Sequence, residues 1–565
     1  MGPVSAAEDT SHGPEARAAR RAPWAVALGA AVVVCATLLV WLDLGGHALY
    51  SPDEGRYGSV SRTMLETGDW VLPVYRGHAH LTKPPLTYWL EAASMRALGK
   101  TELALRAPSA LATSLSVLIV LGCGWTLGGA RRGVLAAGLY AIAPMVFGVG
   151  RLATTDALLN LFWTGALTAG LLAVTTKHTR WVALLWTCAA LGLLTKGPVA
   201  LTPVAALLIW LSIGRRGRDL ARLWIPVGLP LSLVPLGLWV LAVWRLRPEA
   251  FTIWYGEIVS RAAGSGAHNE PIWFFLPIYL AAMFPAAALL FTPGAWRLRR
   301  WRAGLVEATP AALWAIAIVG PIVMFSLIRG KLPTYILPTA APTALLAAGF
   351  LDRALTRARA PGLLIAMTII MSVVTVGAVV MAARRAPDFL AYAGALALVP
   401  IAGAIAWRMW SRTPVRASAL AVVFAAWLIV YGAGARAEVF LRPRTDPRVL
   451  VDLVRGVVEH EGVDWSRVRY FAFYEPSVAF YSRREFATIT NADDINALLA
   501  EAPDKPLVLI ADARTWDGWF RHEAPQTAAK FTIAATGARW VHRTVLVLVS
   551  TPGAASDAEG ADHGE

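Results

Sequence analysis

Long apolar runs recur through most of this 565-residue chain and constrain its fold more than any other feature. A run of about 20 apolar residues can cross a bilayer as a helix. We predict spans at 24–42, 103–127, 133–150, 157–176, 181–195, 198–213, 224–244, 273–292, 309–328, 333–351, 362–383, 389–407 and 417–434. The sequence therefore predicts a mostly α-helical, polytopic membrane protein with about 13 transmembrane helices.

The composition excludes a soluble globular protein and argues against a nucleic-acid partner. Apolar residues make up 56% of the chain and charged residues 16%, against about 45–50% and about 25% in soluble domains. The net charge is +15, but most cations lie in short turns between spans, as expected for cytoplasmic turns. The three cysteines fall within apolar runs and predict neither a disulfide framework nor a metal site.

The charge distribution also predicts the orientation of the chain in the cytoplasmic (inner) membrane. The polar N-terminus ends in arginines and is placed in the cytoplasm, so thirteen spans put the C-terminus outside. The first two predicted parts are a disordered cytoplasmic tail at 1–21 and a membrane domain at 22–434, with long outer loops at 43–102 and 245–272. An extracytoplasmic α/β domain at 435–551 and a disordered tail at 552–565 follow.

Local periodicity predicts elements within the outer parts. Tyr57, Val60 and Met64 recur at helical spacing, as do apolar residues from Leu86 to Ala93, which predicts two short helices. These helices either lie in the membrane interface or pack as ordinary loop helices. In the C-terminal part, the sequence predicts an amphipathic helix at 447–460 and three strands at 468–474, 506–511 and 544–550.

Ionisable residues gather on the predicted outer face of the membrane. Asp53, Glu54, Arg56 and Tyr57 follow the first span, and Asp156 begins a later span on the same side. The same face carries Lys83, Lys196, Glu257, Arg261, His268, Lys331 and Tyr335. Each has an ordinary interpretation as a solvated charge, a helix cap or an i, i+4 ion pair, but their convergence on one face predicts a catalytic site.

Such a set suits sugar transfer from a lipid phosphate. A polyprenyl-phosphate leaving group is anionic, so fixed cations must stabilise it where water is scarce. Arginine binds phosphate through two N–H groups and lysine acts as a point charge. A carboxylate can take the proton of the acceptor hydroxyl, and a single displacement of this kind inverts the anomeric configuration.

Several motifs in a fixed order carry a family resemblance. They are Asp53-Glu54-Gly55-Arg56-Tyr57, Met64-Leu65-Glu66-Thr67-Gly68-Asp69-Trp70, Lys83-Pro84-Pro85, Tyr88-Trp89, Thr195-Lys196-Gly197 and Gly330-Lys331-Leu332-Pro333-Thr334-Tyr335-Ile336-Leu337-Pro338. This set, over about 50 to 350, resembles the bacterial lipid A aminoarabinose transferases, relatives of the protein O-mannosyltransferases among the GT-C glycosyltransferases. The resemblance implies a GT-C fold and a polyprenyl-phosphate-sugar donor.

The resemblance also implies roles for individual residues. Asp53, with Asp156 and the adjacent Glu54, would form the acidic catalytic set. The residues that would face or lie near the donor phosphate are Arg56, Lys83, Arg261, Lys331 and Tyr335. Tyr57, Glu257 and Lys196 are further site candidates.

The family resemblance suggests a zinc ion, but the sequence departs from the family at its ligands. His268 lies where the aminoarabinose transferases have a zinc-binding histidine. Thr82 stands where they have a glutamate before the Lys-Pro motif, and Ile258 follows Glu257 where they have a histidine. His78 or His80 could take the place of that glutamate, but two histidines, such as His80 and His268, supply fewer ligands than a zinc site needs.

Three functions are compatible with these features. The leading hypothesis is an inverting membrane glycosyltransferase that moves aminoarabinose, mannose or a similar sugar to lipid A, another envelope glycan or a protein hydroxyl. A transporter or flippase for a lipid-linked sugar is the alternative, although transporters place ionisable residues near the bilayer midplane. A non-catalytic envelope scaffold would leave Asp53 and Asp156 without a role.

Overall fold

The computed structural model describes residues 23–263, 270–291, 298–357, 398, 401–402, 404–405, 423, 425–432, 446–540 and 543–551. The chain divides into two compact units. The helical unit draws on 1–42, 81–87 and 106–435, and the sheet unit on 43–80, 88–105 and 436–565. Most of the first predicted outer loop therefore folds together with the C-terminal part of the chain.

The principal described helices range from 5 to 40 residues in length. In chain order the principal ones are α1 (Pro23–Trp41), α2 (Asp53–Thr67), α3 (Leu86–Leu98), α4 (Glu102–Ala141), α5 (Pro144–Gly150), α6 (Thr155–Thr176), α7 (Thr179–Lys196), α8 (Thr202–Ile213), α9 (Gly217–Ala221), α10 (Ile225–Leu246), α11 (Ala250–Ala263), α12 (Phe275–Ala282), α13 (Ala286–Leu290), α14 (Leu298–Val306), α15 (Pro310–Ser326), α16 (Ala340–Arg357), α17 (Pro447–His460), α18 (Pro476–Ser482) and α19 (Ala492–Glu501). A 3₁₀ helix, Pro333–Thr339, leads into α16.

Five described helical stretches are long and apolar enough to cross a membrane. They are Glu102–Ala141, Thr155–Thr176, Thr179–Ile213, Gly217–Leu246 and Pro333–Arg353. The helices α1 and α15 are shorter apolar candidates. Most of the three predicted spans between 362 and 434 lies outside the described residues.

The breaks between helices show where the predicted spans begin and end. The helical backbone of α4 is interrupted at Gly128 and Gly129, between the predicted spans 103–127 and 133–150. The predicted span 273–292 is instead two short helices, α12 and α13. Pro285 explains this difference, because proline lacks an N–H and disfavours helical geometry in the residue before it.

The core of the helical unit is α6, which is buried along nearly its whole length. Trp163 Nε1 in α6 donates to Thr202 Oγ1 at the start of α8 (2.7 Å), and Asn160 Nδ2 donates to Tyr140 Oη in α4 (2.6 Å). Each pairs a polar atom that would otherwise be buried unsatisfied, a costly state inside an apolar bundle. These bonds fix the position of α6, whose first turn carries Asp156.

The sheet unit contains a five-stranded sheet in the order β4-β3-β5-β7-β6. The strands are β3 (Val468–Phe471), β4 (Thr488–Ile489), β5 (Val508–Asp512), β6 (Phe531–Trp540) and β7 (Arg543–Ser550), and a separate hairpin pairs β1 (Val74–Tyr75) with β2 (His78–Ala79). β3 pairs in parallel with β4 and β5, whereas β7 pairs antiparallel with β5 and β6. Apolar clusters cover both faces of the sheet, so the predicted small α/β fold is confirmed.

The helix predicted at 447–460 and the three predicted strands are all present, with shorter bounds for the first two strands. β3 ends at Phe471 because the next residue, Ala472, adopts a left-handed backbone conformation (φ +47°). Sequence analysis missed β6. Its pairing with β7 shifts register between Ile533 and Ala535, and such an irregularity interrupts the two-residue alternation that identifies a strand.

Both predicted helices of the first loop are present as α2 and α3. The predicted apolar positions Tyr57, Val60 and Met64 are buried with Tyr88 of α3, and the rings of Tyr57 and Tyr88 stack 5.6 Å apart. The apolar face of α2 therefore contacts protein within the sheet unit. This packing favours ordinary loop helices over helices that lie in the membrane interface.

We predict that Gly228 is required for the close packing of α10 against α7. A Cβ at this position would lie 2.0 Å from Trp186 Nε1, whose N–H donates to Leu223 O (2.8 Å). Gly228→Ala should destabilise the protein by about 1–3 kcal/mol through overpacking, measured as a lower Tm in detergent. Gly237→Ala is the control on the same helix, since a Cβ there meets nothing within 4 Å. An equal Tm for the two variants would contradict this assignment.

Candidate functional site

Asp53 is the first residue of α2 and is exposed at the N-terminus of that helix. Its carboxylate pairs with the Arg56 guanidinium one turn later, and both side chains remain partly open to solvent. The helix dipole favours a negative charge at this end. The predicted site residues Asp53 and Arg56 therefore present a carboxyl group and a guanidinium group side by side.

Glu54 differs from its neighbour because it is only 1% exposed. Glu54 Oε2 accepts the backbone N–H of Tyr50 (2.8 Å), which closes the turn that leads into α2. The two adjacent carboxylates of the motif thus have different environments. Asp53 faces outward, whereas Glu54 is turned into the sheet unit.

A second buried carboxylate, Glu91 of α3, lies close to Glu54 and was missed by sequence analysis. Glu91 is 1% exposed, and Ser61 Oγ of α2 donates to Glu91 Oε2 (2.6 Å). Burial, together with the nearby Glu54 charge, raises the pKa of Glu91 to about 8, although the Ser61 hydrogen bond opposes the shift. The only signal in the sequence is an acidic residue in the middle of an otherwise apolar helix, which by itself does not reveal its partner.

In the helical unit, Asp156, Lys196 and Tyr335 are brought together from three separate elements. Asp156 lies in the first turn of α6 and pairs with Lys196 at the end of α7, and each side chain is 14% exposed. Lys196 Nζ also lies 5.4 Å from the ring centroid of Tyr335 in the 3₁₀ helix before α16. A buried ion pair beside an aromatic face makes a rigid, locally neutral polar site.

Lys331 and Lys83 are held by backbone oxygens. Lys331 is 3% exposed, and its Nζ donates to Glu270 O (2.6 Å). Lys83 Nζ donates to the neighbouring Thr82 O (3.1 Å), and its side chain is half-buried. Trp254 Nε1 of α11 donates to Leu81 O (2.9 Å), which attaches the second long loop of the sequence prediction to the segment that carries Lys83.

Three predicted site residues are beyond what the structure describes at the level of side chains. Glu257 and Arg261 lie within α11, but only their helical backbone belongs to the described part of the chain. His268 falls in 264–269, outside the described residues. Their predicted roles stay predictions.

The described residues do not fit a zinc site. Among them, no group of three or more histidine, cysteine, aspartate or glutamate side chains could hold a metal ion. The ring of His80 packs against the rings of Tyr75 and Tyr88, at centroid distances of 5.5 and 6.4 Å. We therefore derive no chemistry through a metal, and the zinc suggested by the family resemblance stays a prediction.

Sequence comparison finds relatives with a defined activity. Residues 82–241 match the family model described as dolichyl-phosphate-mannose-protein mannosyltransferase. The chain is 35% identical over 323 residues to an undecaprenyl phosphate-alpha-4-amino-4-deoxy-L-arabinose arabinosyl transferase of Edwardsiella ictaluri (strain 93-146), covering 55% of this chain and 57% of that relative. A transferase of the same description (number 1) from Sodalis glossinidius (strain morsitans) is 35% identical over 338 residues, 57% of this chain and 58% of the relative.

The match thus spans little more than half the length of these curated relatives. The resemblance to aminoarabinose transferases and to protein mannosyltransferases, drawn from the ordered motifs, is confirmed as sequence similarity.

Structural comparison extends the similarity to nearly the whole chain. The crystal structure of ArnT from Cupriavidus metallidurans bound to undecaprenyl phosphate has a TM-score of 0.74, covers 92% of this chain and 97% of that chain, and is 22% identical. The apo crystal structure of that protein gives the same values. The chain therefore has the ArnT fold, the predicted GT-C fold class is confirmed, and the protein is a multi-pass membrane protein.

We predict that Glu91 makes the stability of the protein depend on pH. Because its folded-state pKa of about 8 lies above the ordinary value of 4.5, the folded state binds more protons than the unfolded state between these values. Stability should therefore fall as pH rises through this window. Glu91→Gln should flatten the decline in Tm between pH 5.5 and 8.5.

Glu66→Gln is the control for this experiment. Partial burial opposes the shift, but hydrogen-bonded ion pairs with Lys100 and Arg62 lower the pKa of the partly exposed Glu66. Its contribution to stability is therefore lost only in acid. A Glu91→Gln protein whose Tm falls with pH as steeply as wild type would contradict the prediction.

Proposed function

We propose that this protein is an integral membrane glycosyltransferase that uses a polyprenyl-phosphate sugar as donor. The observation that carries the proposal is the exposed Asp53 carboxylate beside Arg56 at a helix N-terminus. It is supported by the 35% identity of the chain, over 323 residues, to a named aminoarabinose transferase. The donor most in keeping with those relatives is undecaprenyl phosphate-linked 4-amino-4-deoxy-L-arabinose. The acceptor would be a hydroxyl group of lipid A, of another envelope glycan or of a protein.

The proposed reaction is a single displacement at the anomeric carbon. An acceptor oxygen forms the new bond to that carbon while the bond to the lipid phosphate oxygen breaks, and the polyprenyl phosphate leaves with the electron pair. Asp53 takes the acceptor proton as general base, and the anomeric configuration inverts. Arg56 orients Asp53. Its role at the donor phosphate, like that of Lys83, follows from the family resemblance, and a cation there would stabilise the charge of the leaving phosphate.

The remaining candidates are proposed to support these groups. In the helical unit, Asp156 fixes Lys196 and keeps its ammonium group beside Tyr335. Glu54, being buried and bonded to the Tyr50 N–H, positions the turn before Asp53. Lys331 is anchored on Glu270 O, and further roles for Tyr57, Glu257, Arg261 and His268 follow only from the family resemblance.

The proposed location is the cytoplasmic (inner) membrane. The arginines before α1 argue for a cytoplasmic N-terminus, which would leave Asp53 and the C-terminal part on the outer face. An acceptor at the outer face of that membrane is consistent with this orientation. A Ser466→Cys variant tests this orientation. The new thiol should react with a membrane-impermeant thiol reagent added from outside, and not with the same reagent added from the cytoplasmic side.

We predict that Asp53→Asn abolishes sugar transfer. The amide keeps the shape of the carboxylate but cannot accept the proton, and the loss of a positioned general base costs about 10²–10⁴-fold in rate. The measurement is release of free polyprenyl phosphate by purified protein in liposomes supplied with a panel of polyprenyl-phosphate sugars and envelope extract. Asp452→Asn, an exposed carboxylate on α17, is the charge-matched control.

Near wild-type turnover by Asp53→Asn would remove Asp53 as the base. A wild-type protein that releases no polyprenyl phosphate with any donor, but moves the lipid across the bilayer, would make the protein a flippase.

We predict that Lys83→Ala mainly weakens the binding of the donor. Its ammonium group acts as a point charge on the phosphate in both the ground state and the transition state, so its removal should raise the donor KM more than it lowers kcat. Lys83→Arg should retain part of the affinity. An unchanged donor KM in Lys83→Ala would contradict the role proposed for this lysine.

A further inference from the structure

The helix α18 of the C-terminal segment packs directly against α2. At Gly55, a Cβ would lie 2.5 Å from the backbone nitrogen and 2.7 Å from the Cα of Ser477 in α18. Backbone atoms cannot move aside as the end of a flexible side chain can. The glycine of the Asp53–Tyr57 motif therefore permits a close backbone approach between the two helices.

Two side chains of α18 also hold the backbone just before α2. Leu49 is buried, its N–H donates to Tyr481 Oη (2.9 Å), and its carbonyl accepts from Ser477 Oγ (3.4 Å). Tyr481 Oη in turn donates to Glu102 Oε1 (2.9 Å). The peptide groups on both sides of Leu49 are thus fixed by the C-terminal segment.

This contact is only a few residues from Asp53. The N–H of Tyr50, the residue after Leu49, donates to Glu54 Oε2, and Glu54 is adjacent to Asp53 in α2. One hydrogen bond joins Tyr481 to Leu49, and a second joins the next residue, Tyr50, to Glu54 at the start of α2. A shift of α18 would move the N-terminus of α2.

The other end of the contact is held by two arginines of the first loop. Arg62 in α2 is buried, and its Nη1 donates to Phe480 O (2.7 Å). Arg76, at the tip of the β1–β2 hairpin, donates to Thr488 Oγ1 (3.0 Å), and its guanidinium lies 4.2 Å from the ring centroid of Tyr474. These bonds bring the loop and the C-terminal segment together along their length.

We propose that the C-terminal part of the chain is a positioning element for Asp53, and that Ser477 and Tyr481 are its positioning residues. The inference rests on the proposed function, because it takes Asp53 as the general base. It gives the five-stranded sheet a role in catalysis without contact to the substrate. The sheet holds α18, α18 holds Leu49 and Gly55, and these set where the carboxylate points.

The kinetic test compares Gly55→Ala with Gly456→Ala. The first adds a methyl group against the backbone of Ser477, whereas a Cβ at Gly456 of α17 meets nothing within 4 Å. Displacement of a catalytic group by about 1 Å can cost about 10²-fold in rate, so kcat of Gly55→Ala should fall at least about tenfold. This fall should exceed the factor by which the donor KM rises, although Arg56 lies on the same turn. Gly456→Ala should keep the wild-type kcat.

Tyr481→Phe is the second variant, since it removes one hydroxyl and keeps the ring. It leaves the buried Leu49 N–H without its acceptor, and kcat should again fall by a larger factor than the donor KM rises. Leu499→Ala is the control for general loss of stability, because it opens a cavity in the apolar cluster on α19 that contains no residue of the first loop. A similar kcat loss in Leu499→Ala would overturn the positioning role of Tyr481.

Hydrogen exchange separates this inference from the proposed function. In the full-length protein in detergent, Gly55→Ala and Tyr481→Phe should increase amide exchange across 49–67, and Gly456→Ala should not. Wild-type exchange and wild-type kcat in both variants would overturn the inference, as would faster exchange with unchanged kcat. If the wild-type protein transfers no sugar, the proposed function fails. The exchange of the two variants then still tests the contact, because exchange equal to that of wild type would show that α18 does not constrain α2.

Discussion

The absence of water in the bilayer core constrains every other feature of this protein. Backbone N–H and C=O groups must be paired there, so the chain can cross only as helices, and polar chemistry is confined to helix ends and to cavities within the protein. The candidate residues of the helical unit follow this constraint. Asp156 lies in the first turn of α6, and Lys196 ends α7. Tyr335 lies in the 3₁₀ helix that precedes α16.

The pairing of Asp156 with Lys196 illustrates how such a helix end accommodates charge. Neither ion alone would be tolerated among apolar side chains, whereas together they are locally neutral and each satisfies the other. Removing one partner would leave a buried charge, so variants of either residue affect stability as well as activity. Asp53 lacks this restriction because it is exposed, and this difference supports its assignment as the group that exchanges a proton.

The sequence predicts features that depend on local pattern and fails where distant residues meet. The predicted helix 157–176 is observed as α6, and the helix predicted at 447–460 as α17, because each is set by its own periodicity. Which residues surround Glu91, and why a glycine is needed at Gly55, depend on contacts with other helices. Gly55 contacts Ser477, more than 400 positions away, and no pattern within α2 contains that information. Sequence analysis also missed β6, because the register shift in its pairing with β7 depends on the partner strand.

Helical geometry divides the Asp53–Tyr57 motif into two parts. Asp53 and Arg56 are three residues apart and share the exposed face of α2, whereas Glu54 and Tyr57, also three apart, share the buried face. Gly55 lies with the buried pair and permits the approach of α18. The family resemblance implies chemistry for the whole motif, whereas in the proposed mechanism the exposed pair carries the chemistry and the buried residues pack against protein. Since both sets lie on one rigid turn, a change in the packing of Gly55 must change the direction of the Asp53 carboxylate.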